Sequence, residues 1–205
     1  MKPLLAICAL LLSSCGTIHY TPPVPMAKAP NSMVIDQPRE TFWRAFVPAL
    51  STQFFVINNL DKETGLINLS YGGDPQQFID CGRVVVSGLH PSEFSGALPN
   101  HKYFFQEGFG VKWASRQVSL DGRMNVVVQE VDPQKTSVTV NVRYVVVRHI
   151  AIGAGAYMFT NNTDSVAFNY GDYGNFGEPH PFSCRSNGAL EKSILEIAQA
   201  AANAK

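Results

Sequence analysis

The stretch that most constrains the fold runs from Val111 to His149. Within it Val138, Val140, Val142 and Tyr144 fall at every second position, with Thr139, Asn141 and Arg143 between them. Successive side chains of a strand point to opposite faces, so the pattern predicts an antiparallel sheet with one apolar and one polar face. Trp113–Leu120 and Met124–Val131 are expected to pair across Asp121-Gly122, a favoured two-residue hairpin turn. Asp132-Pro133-Gln134-Lys135 then turns the chain into Thr136–Arg148.

A one-sided sheet needs a cover, and two segments have the spacing to provide it. In the first, Asp36 or Gln37 is the cap and Pro38 sits in the first turn, where its missing N–H costs nothing. Phe42, Trp43, Phe46, Val47 and Leu50 share one helical face, with Trp43 read as core, and Pro48 is expected to end or kink the helix. In the second, Ser186 or Asn187 is the cap and Leu190, Ile194, Ile197, Ala198 and Ala201 form an apolar stripe.

The remaining strand signals are Met33–Asp36, a hairpin of Phe54–Asn58 with Leu66–Tyr71, and Phe78–Val86. Residues 87–110, with Pro91, Pro99 and several glycines, read as a long ordered loop. Ile150–Phe159 is expected to pair with Ser165–Tyr170 across Asn161–Asp164, a membrane-touching hairpin being the alternative, and Gly171–Pro181 reads as a surface loop. The expected fold class is α+β: a single antiparallel sheet with an N-terminal and a C-terminal helix packed on one face.

Ahead of this domain, residues 1–14 have the order of an export signal: Lys2, an apolar run from Leu4 to Leu12, then Ser13 and Ser14. The run is shorter than the roughly 20 apolar residues of a membrane span. Leu12-Ser13-Ser14-Cys15 resembles the lipobox of bacterial lipoproteins. That resemblance implies cleavage before Cys15 and lipidation of its thiol, and, because Gly16 rather than Asp follows, anchoring in the outer membrane on its periplasmic face. An ordinary signal peptide with a chance cysteine is the alternative. Residues 15–32, with Pro22, Pro23, Pro25 and Pro30, read as a tether that reaches up to about 50 Å from the membrane, or that lies along a partner. The folded domain is expected over residues 33–205.

Cysteine usage agrees with export. Cys8 leaves with the signal and Cys15 takes lipid, so Cys81 and Cys184 remain and are expected to pair in an oxidising compartment, two free buried thiols being the alternative. A closed loop of about 100 residues is worth at most about 4.7 kcal/mol in the chain-entropy account.

The order of strand, helix, antiparallel strands and helix, behind a lipidated cysteine and a Pro-rich tether, is similar to the helix-grip domains of the BamC lipoproteins of the outer-membrane barrel-assembly machinery. The likeness covers roughly Met33 to Lys205 and is one of architecture. That family carries two such domains where this chain has room for one.

Signatures of chemistry are sparse. Formal net charge is +0, with no basic patch to suggest nucleic acid. His19, His90, His101, His149 and His180 include no i, i+4 pair and there is no Cys-x-x-Cys, so neither a metal nor a cofactor is expected. Asp80, Glu107 and Glu130 read as single solvated carboxylates. The aromatic segments remain: Phe94, Tyr103, Phe104, Phe105 and Phe109 in one, Tyr173 and Phe176 in the other, read as partner-contact residues because aromatics are enriched at such contacts. The functional expectation is a non-enzymatic structural or assembly lipoprotein of an envelope complex, such as barrel assembly, secretion or a pilus. A periplasmic module that encloses a lipid or small apolar ligand is the alternative.

Overall fold

The computed structural model describes residues 17–108 and 110–204; the expected signal segment, Cys15 and Phe109 lie outside the described residues. In chain order the elements are β1 (Ile18–Thr21), β2 (Ser32–Ile35), α1 (Arg39–Ser51), β3 (Val56–Asp61), β4 (Leu66–Gly73), β5 (Ile79–Asp80), β6 (Arg83–Val86) and β7 (Ser92–Ser95). They continue with β8 (Asn100–Glu107), β9 (Gly110–Asp132), β10 (Lys135–Ala154), β11 (Tyr157–Asn169), β12 (Tyr173–Phe176), β13 (Phe182–Ser186) and α2 (Ala189–Asn203). The class is α+β, and the strand pairings are antiparallel.

The spine is a ribbon of two long strands, β9 with 23 residues and β10 with 20, paired from Lys135↔Asp132 to Gly153↔Trp113. At about 3.3 Å per residue it spans on the order of 60 Å. Short strands line both edges: β4 and then β8 along β9, β2 and then β11 along β10, with β3 outside β4. Two three-stranded sheets complete the fold, in the orders β1-β6-β7 and β12-β13-β5.

The alternation read in β10 holds along its whole length. From Thr136 to Ile152 every second residue is buried, and in β9 the same is true from Ala114 to Val128. One half of this face is covered by α1 and α2, which pack on each other and on β10; Phe42, Phe46, Leu50, Leu190 and Ile194 share a core with Ile67, Leu69, Val126, Val140 and Tyr144. The other half is covered by the small sheet of β1, β6 and β7, where Val84, Val86 and Phe94 meet Tyr103, Phe105, Ala114, Ile150 and Ile152.

Several boundaries differ from the expectations, each for a local reason. Asp121-Gly122 does not turn: it lies inside β9, in the row Tyr71↔Gly122↔Tyr144. A Cβ on Gly122 would come within 2.9 Å of Leu190 Cδ1, so the glycine serves close approach of α2. The segment Phe78–Val86 is broken at Cys81-Gly82, where Gly82 takes φ 72° and a Cβ would stand 2.2 Å from the Thr21 carbonyl oxygen. β5 and β6 thereby belong to different sheets. Residues 87–110 are not a loop but contain β7 and β8, and Gly171–Pro181 contains β12. The turn after β10 comes at Gly155-Ala156, so Asn161–Asp164 lies within β11. α1 runs through Pro48 to Ser51.

The largest departure is at the N-terminus. Residues 17–32 do not leave the domain as a spacer. β1 pairs with β6, the Tyr20 hydroxyl donates to the Ser183 carbonyl at 3.0 Å and accepts from Ser183 N–H at 2.8 Å, and Arg185 donates to the carbonyls of Val24 and Met26. Ala29 N–H donates to the Tyr170 hydroxyl and the Asn31 side chain to the Val140 carbonyl. Sixteen residues that looked like linker act as a strap around the fold.

Cys81 and Cys184 form a disulfide across a sequence separation of 103, joining β13 to the break between β5 and β6. Replacing both by serine is expected to lower the unfolding free energy by about 2–5 kcal/mol in urea titrations; an unchanged transition midpoint would contradict this role.

Candidate functional site

Among the described residues, no helix or second sheet covers the face of the ribbon away from the helices. Its residues alternate with the core set: Ser119, Asp121, Arg123 and Asn125 from β9, and Thr139, Asn141, Arg143 and Val145 from β10. The register puts Arg123 directly opposite Arg143, and Asn125 opposite Asn141. Asn68 Nδ2 donates to Asn125 Oδ1 at 2.6 Å, and Asn31 Nδ2 to Asn141 Oδ1 at 3.3 Å, so side-chain amides ladder across β4, β9 and β10 onto the strap. Lys28, its ammonium 5.3 Å from the Tyr170 ring centroid, closes one side of a cleft of about 520 Å³ that these residues line with Asn169.

Like charges directly opposite each other weaken a sheet. Arg123 is balanced by Asp121 at 3.0 Å, whereas the Arg143 side chain makes no hydrogen bond or ion pair among the described residues. The cleft therefore offers donors in excess: two guanidiniums, an ammonium and four amides against one nearby carboxylate. This arrangement suits acidic and carbonyl-rich surfaces, and its lining includes no nucleophile paired with a base.

Beneath the opposite face two arginines are buried where the covers meet. Arg148 is fully enclosed; Nε and Nη2 donate to the two Asp164 oxygens at 2.9 and 2.5 Å, Nη2 also to the Gly177 carbonyl, and Nη1 to the carbonyls of Pro179 and His180. Arg116 donates to the carbonyls of Ser95 and Gly96, and burial lowers its pKa to about 10. The Arg116 and Arg148 guanidinium carbons stand 4.9 and 5.3 Å from the Phe182 ring centroid; Arg116 is also 5.2 Å from Phe94 and Arg148 4.9 Å from Phe176, which stacks on Phe182. Such contacts are worth about 2 kcal/mol each when desolvated.

The contact residues expected from sequence are thus divided. Phe94, Tyr103, Phe105 and Phe176 are interior, which corrects their reading as surface: β7, β8 and β12 turn them onto the arginines and the second core. Burial pushes the Tyr103 phenol up to about 12. Phe104 and Tyr173 are the exposed ones. Sequence reasoning predicted the polar face, with Thr139, Asn141 and Arg143 on it, but did not single it out as a site or bring Asn68, Asn125 and Arg123 to it.

Two histidine contacts invite comparison with catalytic pairs. Ser92 Oγ lies 3.0 Å from His101 Nε2, and the Tyr103 hydroxyl 2.6 Å from His180 Nδ1. Burial, and then the positive charges of Arg116 and Arg148 respectively, lower both histidine pKa values. Among the described residues neither imidazole has a hydrogen-bonded carboxylate to orient it, and the cleft on the open face does not reach them. Among the described residues no group of three or more His, Cys, Asp or Glu side chains is placed to hold a metal ion.

A second groove, of about 540 Å³, lies between the strap and the start of α2, lined by Pro30, Met33, Tyr170, Leu195 and Glu191. Glu191 is almost fully buried; it accepts from the Tyr144 hydroxyl at 2.6 Å, and its Oε1 has no partner among the described residues. Burial raises its pKa, only partly offset by the Tyr144 bond, and raises that of Tyr144 as well. Compared with models of known protein families, with curated proteins and with solved structures, the chain matches none.

An acid whose folded pKa lies above its unfolded value contributes fully to stability at low pH and loses that contribution as the pH rises through the folded value. Glu191→Gln removes this titration. The variant should melt above the parent at about pH 8, with the gap closing as the pH falls to the ordinary carboxyl value of 4.5; a gap that widens on acidification in thermal melts would contradict the buried neutral acid.

Proposed function

We propose that this chain is a lipoprotein of the bacterial outer membrane, held through lipid on Cys15 and facing the periplasm, which acts as a non-enzymatic structural or assembly subunit of a cell-envelope complex. Barrel assembly, secretion and pilus machines are the classes it fits. The observation that carries this reading is the uncovered polar face of β9 and β10. A face that carries more donors than carboxylates, on a ribbon whose other side is covered, is suited to a protein partner that brings carboxylates and backbone carbonyls. The Cys81–Cys184 disulfide supports an oxidising compartment.

The reading of a ligand-binding module draws on the groove beside α2, whose Met33, Leu195 and Pro30 are apolar and whose Glu191 adds a buried polar group. It takes second place because the space between helices and sheet is filled by Phe42, Phe46, Leu50 and Tyr144, which leaves the groove at the surface.

Full-length protein purified in mild detergent should carry acyl groups on Cys15 by mass spectrometry and bring envelope proteins with it in fixed stoichiometry. Arg143→Glu, which reverses charge at an exposed position, should reduce that co-purification at least tenfold while leaving the melting temperature within a few degrees. Full retention of every partner in the variant, or a parent that elutes alone, would overturn the proposal.

A further inference from the structure

We infer that the end of the ribbon carrying the β8–β9 and β10–β11 turns lies in the lipid interface, so that the domain is seated on the bilayer rather than held away from it. This rests on the lipid-anchor reading above. The register places both turns on the same side of the row Phe104↔Trp113↔Gly153: β8 continues beyond Phe104 to Glu107, β9 begins before Trp113, and β10 ends beyond Gly153 at Ala154. Both hairpins therefore project from one end of the molecule.

That end is apolar where it meets solvent. Tyr157 is 78% exposed, Met158 55% and Phe159 63%, three consecutive large side chains at the tip of a hairpin, with Phe104 and Val111 exposed beside them. Water-exposed residues of this kind at consecutive positions cost solvation unless something covers them. Lysines frame them. Lys112 Nζ stands 5.6 Å from the Phe159 ring centroid, and Lys102 Nζ stands 5.7 Å from Phe104 and 5.2 Å from Trp113. Aromatic rings with lysine ammoniums beside them fit the headgroup layer, where the rings sit at the interface and Lys102 reaches lipid phosphates, while Lys112 is ion-paired with Glu107.

The exit of the chain toward Cys15 is an independent observation. Thr17 is fastened to Ser87: its N–H donates to Ser87 Oγ at 3.1 Å, its carbonyl accepts from Ser87 N–H at 2.9 Å, and the two hydroxyls are 2.9 Å apart. Ser87 shares a niche with Leu89, Phe104 and Val111, and Leu89 is 75% exposed. Two residues span at most about 7 Å, so acyl chains on Cys15 enter the bilayer beside the same apolar end. Lipid and hairpin tips supply the two signals that stable membrane attachment needs.

The test uses the full-length, acylated protein in vesicles of phosphatidylethanolamine and phosphatidylglycerol. Met158→Cys carries an environment-sensitive fluorophore; Cys15 is acylated and the native disulfide does not react. Val131→Cys, near the other end of β9, carries the same label as control. The Met158 label is expected to shift to shorter wavelength and to be quenched by lipids spin-labelled near the headgroup, with the Val131 label unmoved. Equal, unquenched emission from both labels while the protein floats with the vesicles would overturn the seating and leave the lipoprotein reading standing. Protein that is unmodified at Cys15 and does not float would overturn both. A Met158 label shielded only when an envelope protein is added would assign the tips to that partner and overturn the seating.

Discussion

A guanidinium taken wholly out of water is costly unless every donor finds an acceptor, and around Arg148 five hydrogen bonds meet that condition. Its acceptors come from β11 and from the chain between β12 and β13, and its flat face lies on Phe176 and Phe182. Arg116, also beside Phe182, ties down the end of β7 through the carbonyls of Ser95 and Gly96, although its buried Nε has no partner among the described residues. The two arginines mark the boundary between the half of the sheet covered by helices and the half covered by the β1-β6-β7 sheet. Without those contacts the small sheets would have few fixed points on the ribbon. With them, β13 is held where its disulfide, its Arg185 and its contact with Tyr20 can hold the strap.

How much of this was legible follows from the range of each signal. The alternation of Val138 to Tyr144 and the stripe from Leu190 to Ala201 are short-range patterns set by burial, and they placed β10 and α2 correctly. Asp121-Gly122 misled because a glycine that admits Leu190 and one that turns a hairpin look alike in sequence. Phe94 and Phe176 misled because proline and glycine around them suggested loops, while their partners, Arg116 and Arg148, lie more than twenty residues away. The strap is the strongest case. Pro22, Pro23, Pro25 and Pro30 have the composition of a flexible linker, yet proline only denies N–H donors; the carbonyls of Val24 and Met26 remain to accept from Arg185.

The strap changes the functional geometry. A free tether would let a domain roam tens of ångströms from an attachment point, whereas residues 17–32 spend their length on the domain's own surface, with Thr17 fixed to Ser87. With the lipid anchor proposed on Cys15, the anchored end would be the end with the exposed hairpin tips; the polar face of the ribbon carries Lys28 and Asn31 of the strap as part of its cleft. In the proposed function, one segment would thus both orient the domain and complete its contact surface.

The central claim is that this segment belongs to the fold, and the most direct test compares the denaturant stability of a chain beginning at Thr17 with one beginning at Ser32. If β1, Tyr20 and the carbonyls that receive Arg185 are structural, deletion removes several hydrogen bonds worth about 1 kcal/mol each together with the apolar contacts of Ile18 and Tyr20. The shorter chain should then unfold at clearly lower urea, with a loss of about 3 kcal/mol or more. Coincident unfolding curves would mean that residues 17–31 are a spacer after all, and would contradict the account.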